Sequence, residues 1–156
     1  MQPIIIEIQE KKLVGMRLKM SLVLNKTQNL FRKFMPRRKE INSIISDGTY
    51  ALQQYDFKSF TPQTIFEKWA CVEVSDFNAI PNQMETVILK GGKYAVFIHR
   101  GTINDFVKSM QYFVEEWIPN SSYEVDNSRP HFEILGSAYL GPNNPDSEEE
   151  IWIPIR

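Results

Sequence analysis

The feature that most constrains the fold of this chain is an order of elements that occurs twice: strand, strand, helix, strand, strand. In the first half, apolar runs and alternation predict the strands, and a helical spacing of apolar residues after Thr27 predicts a helix that Pro36 ends. The predicted strands cover residues 4–8, 14–20, 50–55 and 69–74. We expect the first two to form a hairpin, because only a short polar run separates them.

The second half follows the same order after a link over residues 77–83. Two apolar runs flank the turn Lys90-Gly91-Gly92, which predicts another hairpin. Thr102 followed by Asp105 is typical of a helix start, and apolar residues then recur at helical spacing up to Trp117. The predicted strands of this half cover residues 84–89, 94–99, 131–135 and 150–155.

This duplication predicts a single α+β domain over residues 1–156, in which two pseudo-symmetric strand-helix-strand-strand modules cover approximately 1–76 and 84–156. We expect antiparallel sheets with a binding groove between the modules. A chain of 156 residues is long enough for one well-buried core and short for two independent domains.

The charge and cysteine content argue against several classes of partner. Eighteen basic and nineteen acidic residues give a net charge of -1, so direct nucleic-acid binding is not expected, and the basic run Arg37-Arg38-Lys39 is interpreted as a solvated turn offset by Glu40. No apolar run approaches the roughly 20 residues of a membrane-spanning helix. A single cysteine and no zinc-like Cys/His spacing suit a reducing compartment. We therefore expect a cytoplasmic protein that needs no metal, cofactor or membrane.

Three segments taken together resemble the GyrI-like effector-binding family. They are GGKYAVFIHRG at 91–101, EWIPNSSYE at 116–124 and EEEIWIPI at 148–155. The family includes the ligand-binding domains of AraC-type and MerR-type transcription regulators, and also stand-alone domains of about this length. The resemblance implies a groove lined by aromatic rings with an acidic residue at its floor, and it identifies the chain as a stand-alone form without the DNA-binding part.

The terminal strand supplies the first candidate for the site. Strand alternation places Ile151, Ile153 and Ile155 against the helices and leaves Glu150 and Trp152 facing the groove. Glu150 also matches the acidic residue of the family. A carboxylate partly removed from water gains from a cationic ligand, and aromatic rings add cation–π attraction. A surface glutamate is the alternative interpretation, and it is the one we favour for Glu148 and Glu149.

Four further aromatic residues complete the predicted ligand-binding set, although each could instead be ordinary packing. Alternation assigns Trp69 to the groove face with Cys71 and Glu73, and Phe97 to the groove face with Ala95 and His99. The family resemblance makes Tyr112 and Trp117, near the end of the second helix, candidate groove walls. His99 is interpreted as structural, Cys71 as a small buried residue, and His131 as carrying no signal.

The function expected first is the binding of amphipathic, cationic organic compounds, as in drug sensing, multidrug binding or sequestration linked to transcription regulation. One alternative is a hydrolase of strained, cyclopropane-containing electrophiles with Glu150 as general acid/base. A binding role is favoured over an enzyme, because no second catalytic group accompanies Glu150. Another alternative is a protein-partner role, such as a gyrase protector, or a homodimer.

Overall fold

The computed structural model describes residues 2–156 and has two helices on an antiparallel sheet of eight strands. The strands are β1 (Ile4–Ile8), β2 (Lys11–Met20), β3 (Thr49–Gln53), β4 (Phe66–Val74), β5 (Glu85–Leu89), β6 (Gly92–Arg100), β7 (His131–Leu135) and β8 (Glu148–Pro154). The helices are α1 (Thr27–Phe34), continued by a 3-10 turn at Met35–Glu40, and α2 (Ile103–Tyr112), continued by a π turn at Phe113–Trp117. The α+β class and the repeated order of elements are confirmed.

Both predicted hairpins are wrong, because the two halves exchange their first strands. β1 pairs with β6, and β5 pairs with β2, so that the order across the sheet is β1-β6-β8-β7-β3-β4-β2-β5. The connector Gln9-Glu10 contains neither of the residue types, Gly and Asn, that a tight hairpin turn favours. It instead packs against the other connector: a Cβ atom on Gly91 would lie 2.5 Å from the carbonyl oxygen of Ile8.

The halves are joined into one sheet by β3 and β7, which pair at its centre with Ala51 opposite Glu133. The pairings on either side of this point repeat: Tyr50 pairs with Cys71 in the first half, as Phe132 pairs with Trp152 in the second. A pseudo-twofold axis therefore passes between β3 and β7. The described residues therefore form one continuous sheet instead of the separate sheets that we expected.

Both helices lie on the same face of the sheet, called here the helix side. α1 buries Leu30 and Phe34 against β2 and β4, and the π turn after α2 buries Phe113 against β6 and β8. Full burial of a side chain of this size stabilises the fold by about 1.5–3 kcal/mol. The predicted start of α2 is also present, since the Asp105 carboxylate accepts hydrogen bonds from the backbone N–H and the hydroxyl of Thr102 at 2.9 and 3.1 Å.

The opposite face is filled near its centre by aromatic rings. The Phe132 ring centroid lies 5.5 Å from that of Tyr50, 5.3 Å from that of Tyr94 and 5.4 Å from that of Trp152. Leu13 joins the same buried cluster. Between residues 2 and 156 no helix has the length and hydropathy that crossing a membrane requires.

Candidate functional site

The six predicted ligand-binding residues lie on both faces of the sheet and do not form one pocket. Glu150, Trp152 and Trp69 lie on the face opposite the helices, as strand alternation predicts for them. The Trp152 indole N–H donates a hydrogen bond to Oε1 of Glu150 at 3.1 Å. Glu150 and Trp152, the acidic and aromatic residues at the centre of the predicted site, therefore contact each other. The Trp152 side chain is buried against Phe132.

The face predicted for Phe97 is wrong. Phe97 pairs directly with Ile151, so both side chains point to the helix side, where the Phe97 ring stacks on Phe113 at 6.0 Å. Trp117 also packs on Phe113, at 5.3 Å, and is part of the same core. Tyr112 is the last residue of α2 and is half-buried. Phe97 and Trp117 thus lie across the sheet from Glu150.

A cluster of buried polar residues on the helix side was missed by the sequence analysis. It lies over β3 and β7, in the space between α1, which packs on β2 and β4, and α2, which packs on β6. We call it the central polar cluster; its members are Gln53, Lys68, His131, Glu133 and Glu149. The three at its floor are almost inaccessible, with 4% exposure for Gln53, 5% for His131 and 8% for Glu133.

Glu133 is the most unusual member, because its carboxylate is buried with little compensation. The Gln53 side-chain amide donates a hydrogen bond to Oε2 of Glu133 at 2.6 Å. Within residues 2–156 no side-chain nitrogen of lysine, arginine or histidine lies within 4.0 Å of this carboxylate. Burial raises the pKa of Glu133, an effect opposed by the charge of Lys68, the Gln53 hydrogen bond and a hydrogen bond from the backbone of Glu133 itself. Burying such a group without a counter-charge is destabilising.

Glu149 brings a second carboxylate to the same cluster. Glu149 lies two residues before Ile151 in β8, so its side chain is on the helix side as well. Burial raises the pKa of Glu149 to about 7, with a further contribution from the charge of Glu133. Lys68 lowers the pKa of both carboxyl groups, and its ammonium group lies 3.3 Å from the Thr27 hydroxyl at the start of α1. The cluster therefore combines two carboxyl groups with one ammonium group.

Aromatic residues surround the central polar cluster at His131. The Tyr55 and Phe57 rings meet the His131 imidazole edge-on at 4.8 and 5.0 Å, and Tyr55 also stacks on Phe60 at 3.9 Å. Burial lowers the pKa of His131 to about 3, helped by the charge of Lys68, so the imidazole is neutral near pH 7. Tyr139, in the loop between β7 and β8, has a pKa that is raised by burial and by the charges of Glu149 and Glu133.

The chemistry of the cluster is that of a site for positive charge surrounded by rings. A carboxylate with one amide donor retains oxygen lone pairs for a ligand, and ring faces attract cations. His99, by contrast, is satisfied structurally: its ring nitrogens lie 3.2 Å from the Ser109 hydroxyl and 3.3 Å from the Thr102 carbonyl. No group of three or more metal-ligating side chains occurs among the described residues.

Comparison with known proteins places this arrangement in a family. The sequence profile described as GyrI-like small molecule binding domain matches residues 1–156. The transcriptional regulator BrlR of Pseudomonas aeruginosa is 28% identical over an alignment of 130 residues, and the match covers 81% of this chain and 45% of the regulator. The chain thus spans less than half the length of that relative.

Two solved structures share the fold over nearly the whole chain. The structure of SAV2435 bound to tetraphenylphosphonium is 17% identical, with a TM-score of 0.68, and the match covers 100% of this chain and 94% of that one. The C-terminal domain of EcmrR is 15% identical, with a TM-score of 0.70, and the match covers 99% of this chain and 97% of that one. With the profile extending over its full length, this chain belongs to the family of GyrI-like small-molecule binding domains.

Proposed function

We propose that this domain binds amphipathic organic cations in the central polar cluster between α1 and α2. The observation that carries the proposal is the buried Glu133 carboxylate, which accepts a hydrogen bond from Gln53 and has no cationic side chain within 4.0 Å in residues 2–156. A bound cation supplies the missing positive charge, so part of the penalty of burying the carboxylate is recovered on binding.

The rings around the cluster suit the apolar part of such a ligand. Tyr55 and Phe57 approach from the loop after β3, and Tyr139 from the loop before β8. Their faces attract a cation and their area buries aromatic or aliphatic substituents. The binding of tetraphenylphosphonium, a cation with four phenyl groups, by SAV2435 supports this ligand class for a domain with the same fold.

Ligand entry requires side chains to move, because Glu133 is only 8% exposed. The loops that carry Tyr55 and Tyr139 are the segments to move, since each connects a central strand to the next element without joining the sheet. When only a fraction of the molecules is open, the observed affinity equals the affinity of the open form multiplied by that fraction. In the cell we propose a role in sensing or sequestering such compounds, in keeping with the relation to transcription regulators.

The test compares ligands of the same shape and opposite charge by isothermal titration calorimetry. Tetraphenylphosphonium and tetraphenylborate are matched in this way, and Glu133→Gln and Glu150→Gln separate the central polar cluster from the pair formed by Glu150 and Trp152. We expect Glu133→Gln to weaken cation binding about tenfold or more, and Glu150→Gln to leave it unchanged. Equal affinity for the borate, or an unchanged affinity in Glu133→Gln, would overturn the proposal.

A hydrolytic function is the second candidate, and the pKa of Glu149 favours it. A carboxyl group with a pKa of about 7 is suited to general acid/base catalysis near neutral pH, and Glu133 lies in the same cluster. Incubation with a cyclopropane-bearing alkylating compound, followed by chromatography of the products, tests this function. Turnover that is lost in Glu149→Gln while the compound still binds would support it, and the absence of turnover would count against it.

A further inference from the structure

The outer edge of β2 is only partly covered by its neighbour β5. β5 pairs with β2 from Lys11 to Gly15, whereas β2 continues to Met20 and pairs with β4 along nearly its whole length. Residues 16–20 of β2 therefore have a strand partner on one side only in the part of the chain described. The outward backbone groups of such a segment are available to another strand.

Helix α1 runs beside this edge and leaves a depression of about 730 Å³ between them. Apolar side chains of Met16, Leu18 and Leu30 contribute to its lining, and Leu30 and Met16 are buried. We call this depression the basic groove, because five basic residues and only one acidic residue, Glu85, also line it; the basic residues are Arg17, Lys26, Arg32, Lys33 and Arg37. It is separate from the central polar cluster and contains none of its residues.

The charge of the basic groove is only partly neutralised within the chain. Arg17 is engaged by Glu67 and Glu85, and Arg37 by Glu40. Across residues 2–156, no carboxylate lies within 4.0 Å of the side-chain nitrogens of three other lining residues, which are Lys26, Arg32 and Lys33. In a chain of net charge -1, this is a local concentration of positive charge.

We propose that the basic groove docks an acidic peptide segment of a partner protein, which adds to β2 as an extra strand. Two observations select this occupant over a small anion or a nucleic acid. The backbone of residues 16–20 needs donors and acceptors at strand spacing, which another peptide provides. The three cations along α1 complement acidic side chains of that peptide and steer its approach.

The other half of the domain offers an internal comparison. The corresponding end of β6, residues 97–100, lies beyond the pairing with β1, which stops at Val96. It lies beside α2, whose exposed side chains include Ile103 and Val107 and which carries one lysine, Lys108, where the basic groove has three cations without an acidic partner. The acidic peptide is therefore expected at the edge of β2 and not at that of β6.

The experiment titrates the 15N-labelled protein with a short peptide that alternates glutamate and valine, followed by amide chemical shifts. We expect saturable shifts at residues 16–20 and in α1, and none at 97–100. The triple variant Lys26→Gln/Arg32→Gln/Lys33→Gln should weaken binding about tenfold or more, because three complementary charges are removed. The matched control Lys90→Gln/Lys93→Gln/Lys108→Gln removes three exposed lysines outside the groove and should bind as the wild type does.

Several results would overturn the proposal. The proposal would be contradicted if the protein did not bind the peptide at concentrations up to about 1 mM. It would also be contradicted if the protein bound a peptide with N-methylated valines, which cannot complete the strand ladder, as tightly as the unmodified peptide. Tighter binding of single-stranded oligothymidylate than of the peptide would assign the groove to nucleic acid instead. Glu133→Gln is expected to leave peptide binding intact, so failure of this proposal and failure of the proposed function are distinguishable.

Discussion

The Gln53 side-chain amide donates a hydrogen bond of 2.6 Å to the Glu133 carboxylate across the two central strands, between residues 80 positions apart in the chain. Both residues are buried beside the pseudo-twofold axis, at the point where the halves of the sheet meet. This pair is the floor of the central polar cluster. The contribution of this pair to the stability of the protein depends on the protonation of Glu133, and so does the proposed affinity for cations.

Removing the Gln53 amide should destabilise the protein when Glu133 is ionised. At about pH 8 we expect Gln53→Leu to lower the free energy of unfolding by about 1–3 kcal/mol, because the buried carboxylate loses its donor. Urea denaturation of both single variants and of Gln53→Leu/Glu133→Gln measures the coupling. The cost of Gln53→Leu should be smaller when residue 133 is uncharged; an equal cost in both backgrounds would show that the two side chains are not coupled.

Replacing Glu133 by glutamine should affect stability and binding in opposite directions. The raised pKa of Glu133 means that the ionised form is disfavoured by folding. At about pH 8 we therefore expect Glu133→Gln to raise the free energy of unfolding by about 1 kcal/mol while cation binding weakens. The exposed Glu10→Gln serves as control and should change neither quantity. A destabilised Glu133→Gln with normal binding would assign the carboxylate a purely structural role.

Glu149 should make the protein less stable as the pH rises. Its pKa is about 7 in the folded protein, against an ordinary value of 4.5. Its contribution to stability is fully present below pH 4.5 and is lost as the pH rises to about 7. The lowered pKa of His131, about 3, acts oppositely, because its contribution is lost as the pH falls below 6.5. The stability of Glu149→Gln relative to the wild type isolates the first effect.

That difference should grow from near zero at low pH to a plateau on the order of 1–2 kcal/mol above about pH 7, after allowance for solvent screening. Urea denaturation over a pH series measures it. A difference that does not vary with pH would mean that Glu149 titrates normally.

Cation binding should strengthen with pH through the same range. A cation stabilises the ionised forms of Glu133 and Glu149, so it displaces a proton when it binds near or below the pKa of about 7. Release of one proton raises the affinity by up to about tenfold for each pH unit. Calorimetry in buffers of different ionisation enthalpy counts the released protons. Binding of tetraphenylphosphonium without proton release at about pH 6 would contradict this linkage.

Arg129 should be a structural residue whose loss destabilises the fold. Its guanidinium lies 2.9 Å from Asp126, 4.8 Å from the Tyr94 ring centroid, and donates to the carbonyl oxygens of Lys93 and Ile155. We expect Arg129→Met to lower the free energy of unfolding by about 3 kcal/mol, because Asp126 is left unpaired. The exposed Arg100→Met, which loses its contact with Asp146, should cost less than about 1 kcal/mol. Equal costs in thermal or urea unfolding would contradict this assignment.

The sequence predicts elements well where one face of a strand is polar, and poorly where both faces are apolar. In β8, the acidic Glu150 alternates with Ile151 and so distinguishes the two faces, and the isoleucines lie against the helices as predicted. In β6, Tyr94, Ala95, Val96 and Phe97 are all buried, so alternation does not distinguish the faces, and Phe97 was assigned to the wrong one.

Long-range pairing explains the other errors. The exchange of β1 and β5 is decided by contacts across the whole chain, which the local turn residues do not report. The isolated charge of Glu133 within an apolar strand was a usable local signal for the site. Its connection to Gln53, Lys68 and Glu149 depended on strand order and register, and these were not predictable from the repeated pattern alone.

The most direct test of the central claim is a crystal structure of the domain with tetraphenylphosphonium bound. We expect the phosphonium centre to lie on the helix side, within about 6 Å of the Glu133 carboxylate, with phenyl rings displacing Tyr55 or Tyr139. A cation found on the opposite face, against Glu150 and Trp152, would contradict it and restore the site expected from strand alternation.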